Sequence, residues 1–131
     1  MKSARTFLPN VNSIPEARRF VLAAVGRIAR EQRDAVSVMV SELAMNAVQH
    51  ARTRFQVTVD VANGSLRVEV TDSGAGTVTA QPPPDAASLR GRGLFIVDQL
   101  SDAWGTSSST GPAKSVWFTV ALNAVNDSTA Q

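Results

Sequence analysis

The segment SELAMNAVQHA, residues 41–51, carries a carboxylate and a carboxamide four positions apart, at Glu42 and Asn46. Because side chains four apart lie above one another on a helix, Glu42, Asn46 and His50 share one stripe beside an apolar one. A carboxamide oxygen suits Mg²⁺, and a carboxylate one turn away can accept a proton or position a water molecule. The alternative is a solvated helix face, which the motif taken alone favours.

A second candidate, TDSGAG at residues 71–76, directly follows an alternating segment. Asp72 ends that segment, and Gly74 and Gly76 allow the backbone to turn sharply and approach a flat ligand. An aspartate in this place can accept a hydrogen bond from an exocyclic amine such as that of adenine. For D-x-G-x-G taken alone, an ordinary turn at the end of a strand is the favoured explanation.

A third candidate, GRGLFIVDQL at residues 91–100, opens a helix with two glycines. Free backbone N–H groups at a helix start form an anion site that suits phosphate. A glycine-rich loop entering a packing helix is the alternative. A dinucleotide fingerprint is not indicated, because a third glycine and a directly preceding strand are missing. A G-x-x-x-x-G-K-[ST] loop is absent from the sequence.

The apolar pattern of the first 51 residues predicts an edge strand and two helices that would hold the first motif. The strand is expected at Arg5 to Leu8. Residues 15–31 have helical spacing, with Ser13 as N-cap and Pro15 at the first helical position. The second helix is predicted from about Asp34 to Ala51 and contains the first motif.

The rest of the chain alternates between strands and one helix. Two alternating segments flank Asn63-Gly64, which is a strong hairpin signal. A helix and two more strands around a Gly-Pro turn follow, so that the predicted elements are 55–62, 66–72, 93–101, 103–110 and 114–122. Helices before an antiparallel hairpin, then a helix and a hairpin again, indicate an α+β two-layer sandwich. Trp104 and Trp117 are interpreted as core or edge residues.

The composition is that of an ordinary single domain, with 131 residues of which 44% are hydrophobic and 18% charged. A formal charge of +2 without a Lys/Arg run does not indicate a nucleic-acid surface. The lack of cysteine excludes disulfides, and one histidine argues against a His-rich metal site. Because no stretch approaches about 18 uninterrupted apolar residues, we expect a cytoplasmic protein that does not bind a membrane.

Together, E-x-x-x-N on a helix, D-x-G-x-G after a strand and G-x-G at a helix start resemble the Bergerat-fold (GHKL) ATPases. The sequence is most similar to the small anti-sigma factor serine/threonine kinases, with SELAMNAVQHA as the N box and DSGAG and GRGLFIVDQL as the two glycine boxes. The resemblance covers about residues 15–122 and leaves a polar tail, 123–131. It implies one histidine kinase-like ATPase domain over 1–131, with a mixed, mainly antiparallel sheet covered on one face by about three helices.

The resemblance also implies roles for individual residues. Asn46 would coordinate the Mg²⁺ that bridges the phosphates of ATP, and Glu42 would be the general base that takes the proton from a Ser or Thr hydroxyl. Asp72 would bind the adenine amino group. The other ATP-binding residues implied are Gly74, Gly76, Gly91, Arg92, Gly93, Leu94 and His50.

The function implied is that of an anti-sigma factor and ATP-dependent protein kinase in a partner-switching circuit. It would sequester a sigma factor and phosphorylate an antagonist protein, with a homodimer as the expected assembly. The segment between the glycine boxes, TVTAQPPPDAASLR at 77–90, is short for an ATP lid and contains three consecutive prolines. This favours an alternative, a nucleotide-binding regulator without kinase activity. A detached histidine kinase-type catalytic domain, acting on a separate protein, is a further alternative.

Overall fold

The computed structural model describes residues 1–51, 53–72, 94–108 and 113–122, with the side chains of residues 50, 51 and 108 left out. Five strands and three helices make up these ranges. In chain order they are β1 Lys2–Phe7, α1 Ser13–Val25, α2 Arg30–Asn46, β2 Phe55–Ala62, β3 Ser65–Asp72, α3 over 94–100, β4 Ala103–Ser108 and β5 Lys114–Ala121. A π-helical turn, Ala47–Ala51, continues α2.

The strands form one sheet in the order β1-β2-β3-β5-β4, and every pairing between the described strands is antiparallel. The β2–β3 hairpin is closed by Asn63 and Gly64, with φ of 53° and 73°. Positive φ at both loop residues is what a two-residue turn with the twist of a hairpin requires. The predicted hairpin is therefore confirmed, and its local cause is the Asn-Gly pair.

The helices lie on one face of the sheet, where alternate strand residues form the core. Val57 and Val59 of β2 and Val68 of β3 have no solvent exposure, and they join buried residues of α1 and α2. Val97 of α3 and Phe118 of β5 complete the same cluster. The structure therefore confirms the predicted α+β two-layer sandwich. A sheet with one apolar face buries that face against a layer of helices.

The first helix ends earlier than the sequence pattern predicts. A single helix over 15–31 is wrong: α1 ends at Val25, and α2 begins at Arg30 rather than near Asp34. Gly26 has a φ of 80°, and its N–H donates to the Leu22 carbonyl oxygen at 3.2 Å. Glycine accepts this conformation at little cost, so the helix ends there.

The start of α1 also differs from the prediction. Ser13 is its first residue rather than its N-cap, and Asn12 precedes it without a capping hydrogen bond from its side chain. Pro15 is therefore the third helical residue and not the first. It still lies in the first turn, where a backbone N–H has no partner within the helix, so its missing donor costs nothing.

β1 begins at Lys2 and ends at Phe7, which makes it longer than the predicted strand. It is an edge strand, as expected, and pairs with β2 along its whole length. Phe7 stacks on Phe55 with ring centroids 5.5 Å apart and meets Phe20 edge-on at 6.1 Å. These aromatic contacts anchor a strand whose remaining residues show little apolar alternation.

The opposite face of the sheet carries a polar cluster at its centre. Arg67 donates a hydrogen bond to Glu69 at 2.8 Å, and its guanidinium lies 4.9 Å from the ring centroid of Trp117. Partial burial by itself would raise the pKa of Glu69. Hydrogen bonds from Arg67 and Ser115 and the charges of Arg67 and Lys2 outweigh it, so the pKa is lowered.

Glu69→Gln should therefore reduce the free energy of unfolding by about 0.5–1 kcal/mol at pH 7. A carboxylate with a lowered folded-state pKa stabilises the protein above its unfolded-state pKa, and this contribution is lost as the pH falls through the folded-state value. The difference between variant and parent should accordingly shrink towards pH 3 in urea titrations. Asp34→Asn, at an exposed position of α2, is the control. A Glu69→Gln difference of the same size at both pH values would contradict the charge-based explanation.

Candidate functional site

α2 holds Glu42 and Asn46 through the residues on its buried side. Met39, Val40 and Leu43 are at most 1% exposed and pack into the core. Glu42 and Asn46 flank this stripe and are half-buried. The expectation that one helix carries both residues is confirmed, and the core packing of its apolar neighbours sets their direction.

The side chains of Glu42 and Asn46 lack polar partners among the described residues. Within the part of the chain that the structure describes, Glu42 and Asn46 make no side-chain hydrogen bond and no ion pair. A half-buried polar group without a protein partner is costly unless water or a ligand provides one. Asn is also a mediocre helix former. Both groups are therefore available to a ligand.

Glu42 lies in an open groove between α1 and α2 with a volume of about 330 Å³. The other lining residues are Arg18, Ser37, Val38 and Ser41. Arg18 donates to the Ser41 hydroxyl at 3.0 Å, and Ser41 donates to the Ser37 carbonyl oxygen at 2.8 Å. The groove thus presents a carboxylate together with a guanidinium held by a hydrogen bond. The pairing of Arg18 with Ser41 has no sequence signal, because it depends on how the two helices pack.

The helix changes character immediately after Asn46. In the π-helical turn Ala47–Ala51, hydrogen bonds join residues five rather than four positions apart. The α-helical register that aligns His50 with Asn46 therefore ends at Asn46. Such turns are rare and often occur at functional sites. The side chain of His50 lies outside the described residues, so its predicted role stays a prediction.

Asp72 is the last residue of β3 and is paired with Phe55 of β2 and Lys114 of β5. It follows Val70 at the strand period of two, so it projects from the face of the sheet that the helices cover. Its Oδ1 atom is buried. Both α2 and the π-helical turn contact β3. The carboxylate thus lies on the same side of the sheet as α2.

α3 is described from Leu94, which is half-buried and packs against the core. Val97, one turn later, has no solvent exposure. Five predicted nucleotide-binding positions lie outside the described residues, namely Gly74, Gly76, Gly91, Arg92 and Gly93. The segment 77–90 and the tail 123–131 lie outside them as well.

One candidate metal ligand among the described residues is the carboxamide of Asn46. In the described ranges, no group of three or more His, Asp and Glu side chains could hold a metal by itself. Mg²⁺ often takes one or two protein ligands and completes its shell with water and substrate phosphates. The Asn46 carboxamide oxygen fits that arrangement as a single hard ligand.

Comparison with known proteins identifies the family of the chain. The histidine kinase-like ATPase domain family matches residues 7–120, and the chain belongs to this family. No curated protein has a significantly similar sequence. No helix within the described ranges has both the length and the apolar character needed to span a membrane.

A similar solved structure is that of the RsbU and RsbW domains of Rv1364c from Mycobacterium tuberculosis, with a TM-score of 0.70 and 19% identity. The match covers 96% of this chain but only 35% of that one. At this identity the likeness shows the fold alone.

If Asn46 serves a ligand rather than the fold, Asn46→Ala should stabilise the ligand-free protein by about 0.5 kcal/mol, the gain in helix propensity. Ser41→Ala is the matched control on the same helix. It also gains helix propensity but loses the hydrogen bond from Arg18, so it should be no more stable than the parent. Urea denaturation measures both. A loss of stability in Asn46→Ala would instead indicate a structural role.

Proposed function

We propose that the protein is an ATP-dependent anti-sigma factor kinase that phosphorylates a Ser or Thr hydroxyl of an antagonist protein. The family match supports ATP as the ligand. The observation that carries the proposal is Glu42, a half-buried carboxylate in an open groove, one turn from Asn46. The resemblance supplies the remaining parts: a cytoplasmic partner-switching circuit, a sigma factor as second partner and a homodimer.

Phosphoryl transfer requires positioning and charge neutralisation more than covalent chemistry by the protein. Glu42 would accept the proton of the attacking hydroxyl, which makes the oxygen a better nucleophile. As that oxygen bonds to the γ-phosphorus of ATP, the bond from this phosphorus to the β–γ bridging oxygen would break, and ADP would leave. The groove is open, so a loop of another protein can reach the carboxylate, and Arg18 on the opposite helix would attract an anionic group. A protein substrate fits this arrangement better than a buried small molecule does.

The nucleotide would lie beside α2 on the helix-covered side of the sheet. Asp72 would accept a hydrogen bond from the adenine amine, and the Asn46 carboxamide oxygen would bind Mg²⁺, which neutralises phosphate charge when bound. Gly91 to Leu94 would donate backbone N–H groups to the phosphates. Gly74 and Gly76 would form the wall next to the base.

A regulator that binds nucleotide and docks a partner without transferring phosphate is the second candidate. The short segment 77–90 favours it, because three prolines and few apolar residues leave little to cover a nucleotide. A histidine kinase-type catalytic domain would instead need a partner that presents a phosphorylatable histidine. Phosphate on Ser or Thr is stable in acid, whereas phosphate on His is lost in acid. Acid treatment of the phosphorylated acceptor therefore distinguishes the two kinds of kinase.

Glu42→Gln should lower the rate of phosphate transfer to the antagonist by about 100-fold or more, because it removes the proton acceptor. ATP affinity should change little, since the amide keeps the shape of the side chain. Mass spectrometry of the antagonist after incubation with Mg-ATP gives the rate, and calorimetric titration gives the affinity. Glu31→Gln, exposed on the same helix, is the matched control. Unchanged transfer by Glu42→Gln would refute the general-base role, whereas ATP binding without transfer by the parent would support the second candidate.

Asp72→Asn should weaken ATP binding about tenfold, the order of a lost hydrogen bond to a charged group. It should also reduce the preference for ATP over GTP, because only adenine presents an amine at that edge of the base. Asp60→Asn, on the opposite face of the sheet, is the control. Equal ATP affinity of parent and Asp72→Asn in calorimetric titrations, with the fold intact by circular dichroism, would remove Asp72 from the site.

A further inference from the structure

The helix-covered side of the sheet ends in a row that carries charge. Along β3 and β5 the facing residues on this side are apolar pairs, and the last of them is Val70 with Val116. In the next row on the same side, Asp72 of β3 faces Lys114 of β5. We propose that Lys114 binds the adenine base together with Asp72, by donating a hydrogen bond to N1 while Asp72 accepts one from the amine. The inference rests on the proposed function, in which ATP is the ligand and Asp72 binds its base.

The strand period places Lys114 on the side of the sheet that the helices cover. Phe118 of β5 is buried in the core on that side, and Lys114 precedes it by four residues, an even number. Residues directly opposite each other on antiparallel strands have Cβ atoms about 4.5–5.5 Å apart. The side chains of Asp72 and Lys114 therefore begin close enough together for one flat base to contact both.

The Lys114 ammonium is available to a ligand. The residue is exposed, and in the described ranges its side chain makes no hydrogen bond and no ion pair. A lysine carries three donors on a flexible four-carbon stem, so the ammonium can adjust to the position of a ligand. On the other face of the sheet, the guanidinium of Arg67 is instead held by Glu69 and Trp117. Lys114 therefore differs from the cation of that structural cluster.

The surroundings of Asp72 and Lys114 suit a flat ring with one polar edge. Val116, in the neighbouring row, is half-buried and packs against the core. Val70 and Phe55, on either side of Asp72, are 4% and 1% exposed. Apolar side chains thus flank the two charged groups. Ligand sites are mostly apolar, with a few polar groups that fix the orientation of the ligand. A base packed beside the valines would turn its hydrogen-bonding edge towards the charged pair.

A neighbouring acceptor and donor match adenine better than guanine. On this edge of adenine the amine donates and the adjacent ring atom N1 accepts, so a carboxylate and an ammonium side by side satisfy both groups. Guanine has the opposite order, with O6 as acceptor and N1–H as donor. In the same pose, the carboxylate would face O6 and the ammonium would face an N–H. A site that hydrogen-bonds a group of its ligand discriminates strongly against an analogue that lacks the group. Lys114 therefore adds specificity for adenine to that of Asp72.

Lys114→Met keeps an unbranched side chain but removes the charge and the donors. It should weaken the binding of ATP and of adenosine alike by about tenfold, the order of a lost hydrogen bond from a charged group. In 1-deaza-ATP a C–H replaces N1, so the acceptor is missing. The parent should bind 1-deaza-ATP about tenfold more weakly than ATP, whereas Lys114→Met should bind the two equally. The control nucleotide is 7-deaza-ATP, which keeps N1 and should bind as ATP does. The control variant is Lys2→Met, exposed on the opposite face of the sheet, and it should bind as the parent does.

The affinities are measured by competition against a fluorescent ATP analogue, and urea denaturation without nucleotide reports the fold, whose midpoint should not change in Lys114→Met. A loss that is equal for ATP and 1-deaza-ATP, or absent for adenosine, would overturn the contact with N1, because attraction of the phosphates would then explain it. A lower urea midpoint with unchanged ATP affinity would also overturn the proposal and make Lys114 a structural residue of the sheet. A parent protein that binds no adenine nucleotide would refute the proposed function together with this inference. ATP binding by the parent that Lys114→Met leaves unchanged would contradict the inference alone.

Discussion

The packing of α2 against the sheet is the constraint on which the site depends. Met39, Val40 and Leu43 turn one side of the helix into the core, with Val68 of β3 in the same buried cluster. Because these residues cannot leave the core without losing about 1.5–3 kcal/mol each, the rotation of α2 is determined. The rotation of α2 in turn determines the direction of the side chains on either side of the buried stripe. Glu42 is directed to the groove between α1 and α2, and Asn46 to the end of the helix.

Glu42 and Asn46, which flank the buried stripe, do not favour the stability of α2. A half-buried carboxylate and carboxamide without hydrogen bonds from the described residues weaken the fold, and an apolar pair would pack better. The polar cluster of Arg67, Glu69 and Trp117 provides the contrast. In that cluster Arg67 contacts both Glu69 and Trp117, so the charged groups have partners. The cluster contributes to the stability of the fold. The polar cluster on the sheet and the polar pair on α2 therefore differ in whether the described residues provide hydrogen-bond partners.

α2 and α3 are held against the sheet in different ways. α2 is long and has a continuous apolar stripe, so burial alone is enough to orient it. α3, over 94–100, has one fully buried residue, Val97, with Leu94 packed beside it, and its Asp98 accepts a hydrogen bond from Trp104 of β4. Burial is non-directional, whereas a hydrogen bond defines an angle.

Local information in the sequence was enough for the elements and their type. The Asn63-Gly64 turn, the alternation of β2 and β3 and the helical spacing around Glu42 and Asn46 each depend on neighbours in the chain, and together they determined the α+β sandwich. The order of three motifs determined the family. The end of α1 at Gly26 was missed because the apolar spacing continues through Ile28, which is buried in the connection. The glycines of the two boxes, Gly74, Gly76, Gly91 and Gly93, lie outside the described residues, so their roles still rest on the sequence alone.

Only the tertiary structure decided which polar groups meet. Arg18 and Ser41 are 23 positions apart, and their hydrogen bond exists because α1 packs against α2. The π-helical turn after Asn46 has no periodic signal, since five residues cannot establish a period. Asp98 carries a negative charge near the C-terminal end of α3, where such a charge is unfavourable. The sheet places Trp104 beside it as a hydrogen-bond donor. Sequence patterns record which side of an element is apolar, because burial repeats along the chain, but a single contact between two elements leaves no such repeat.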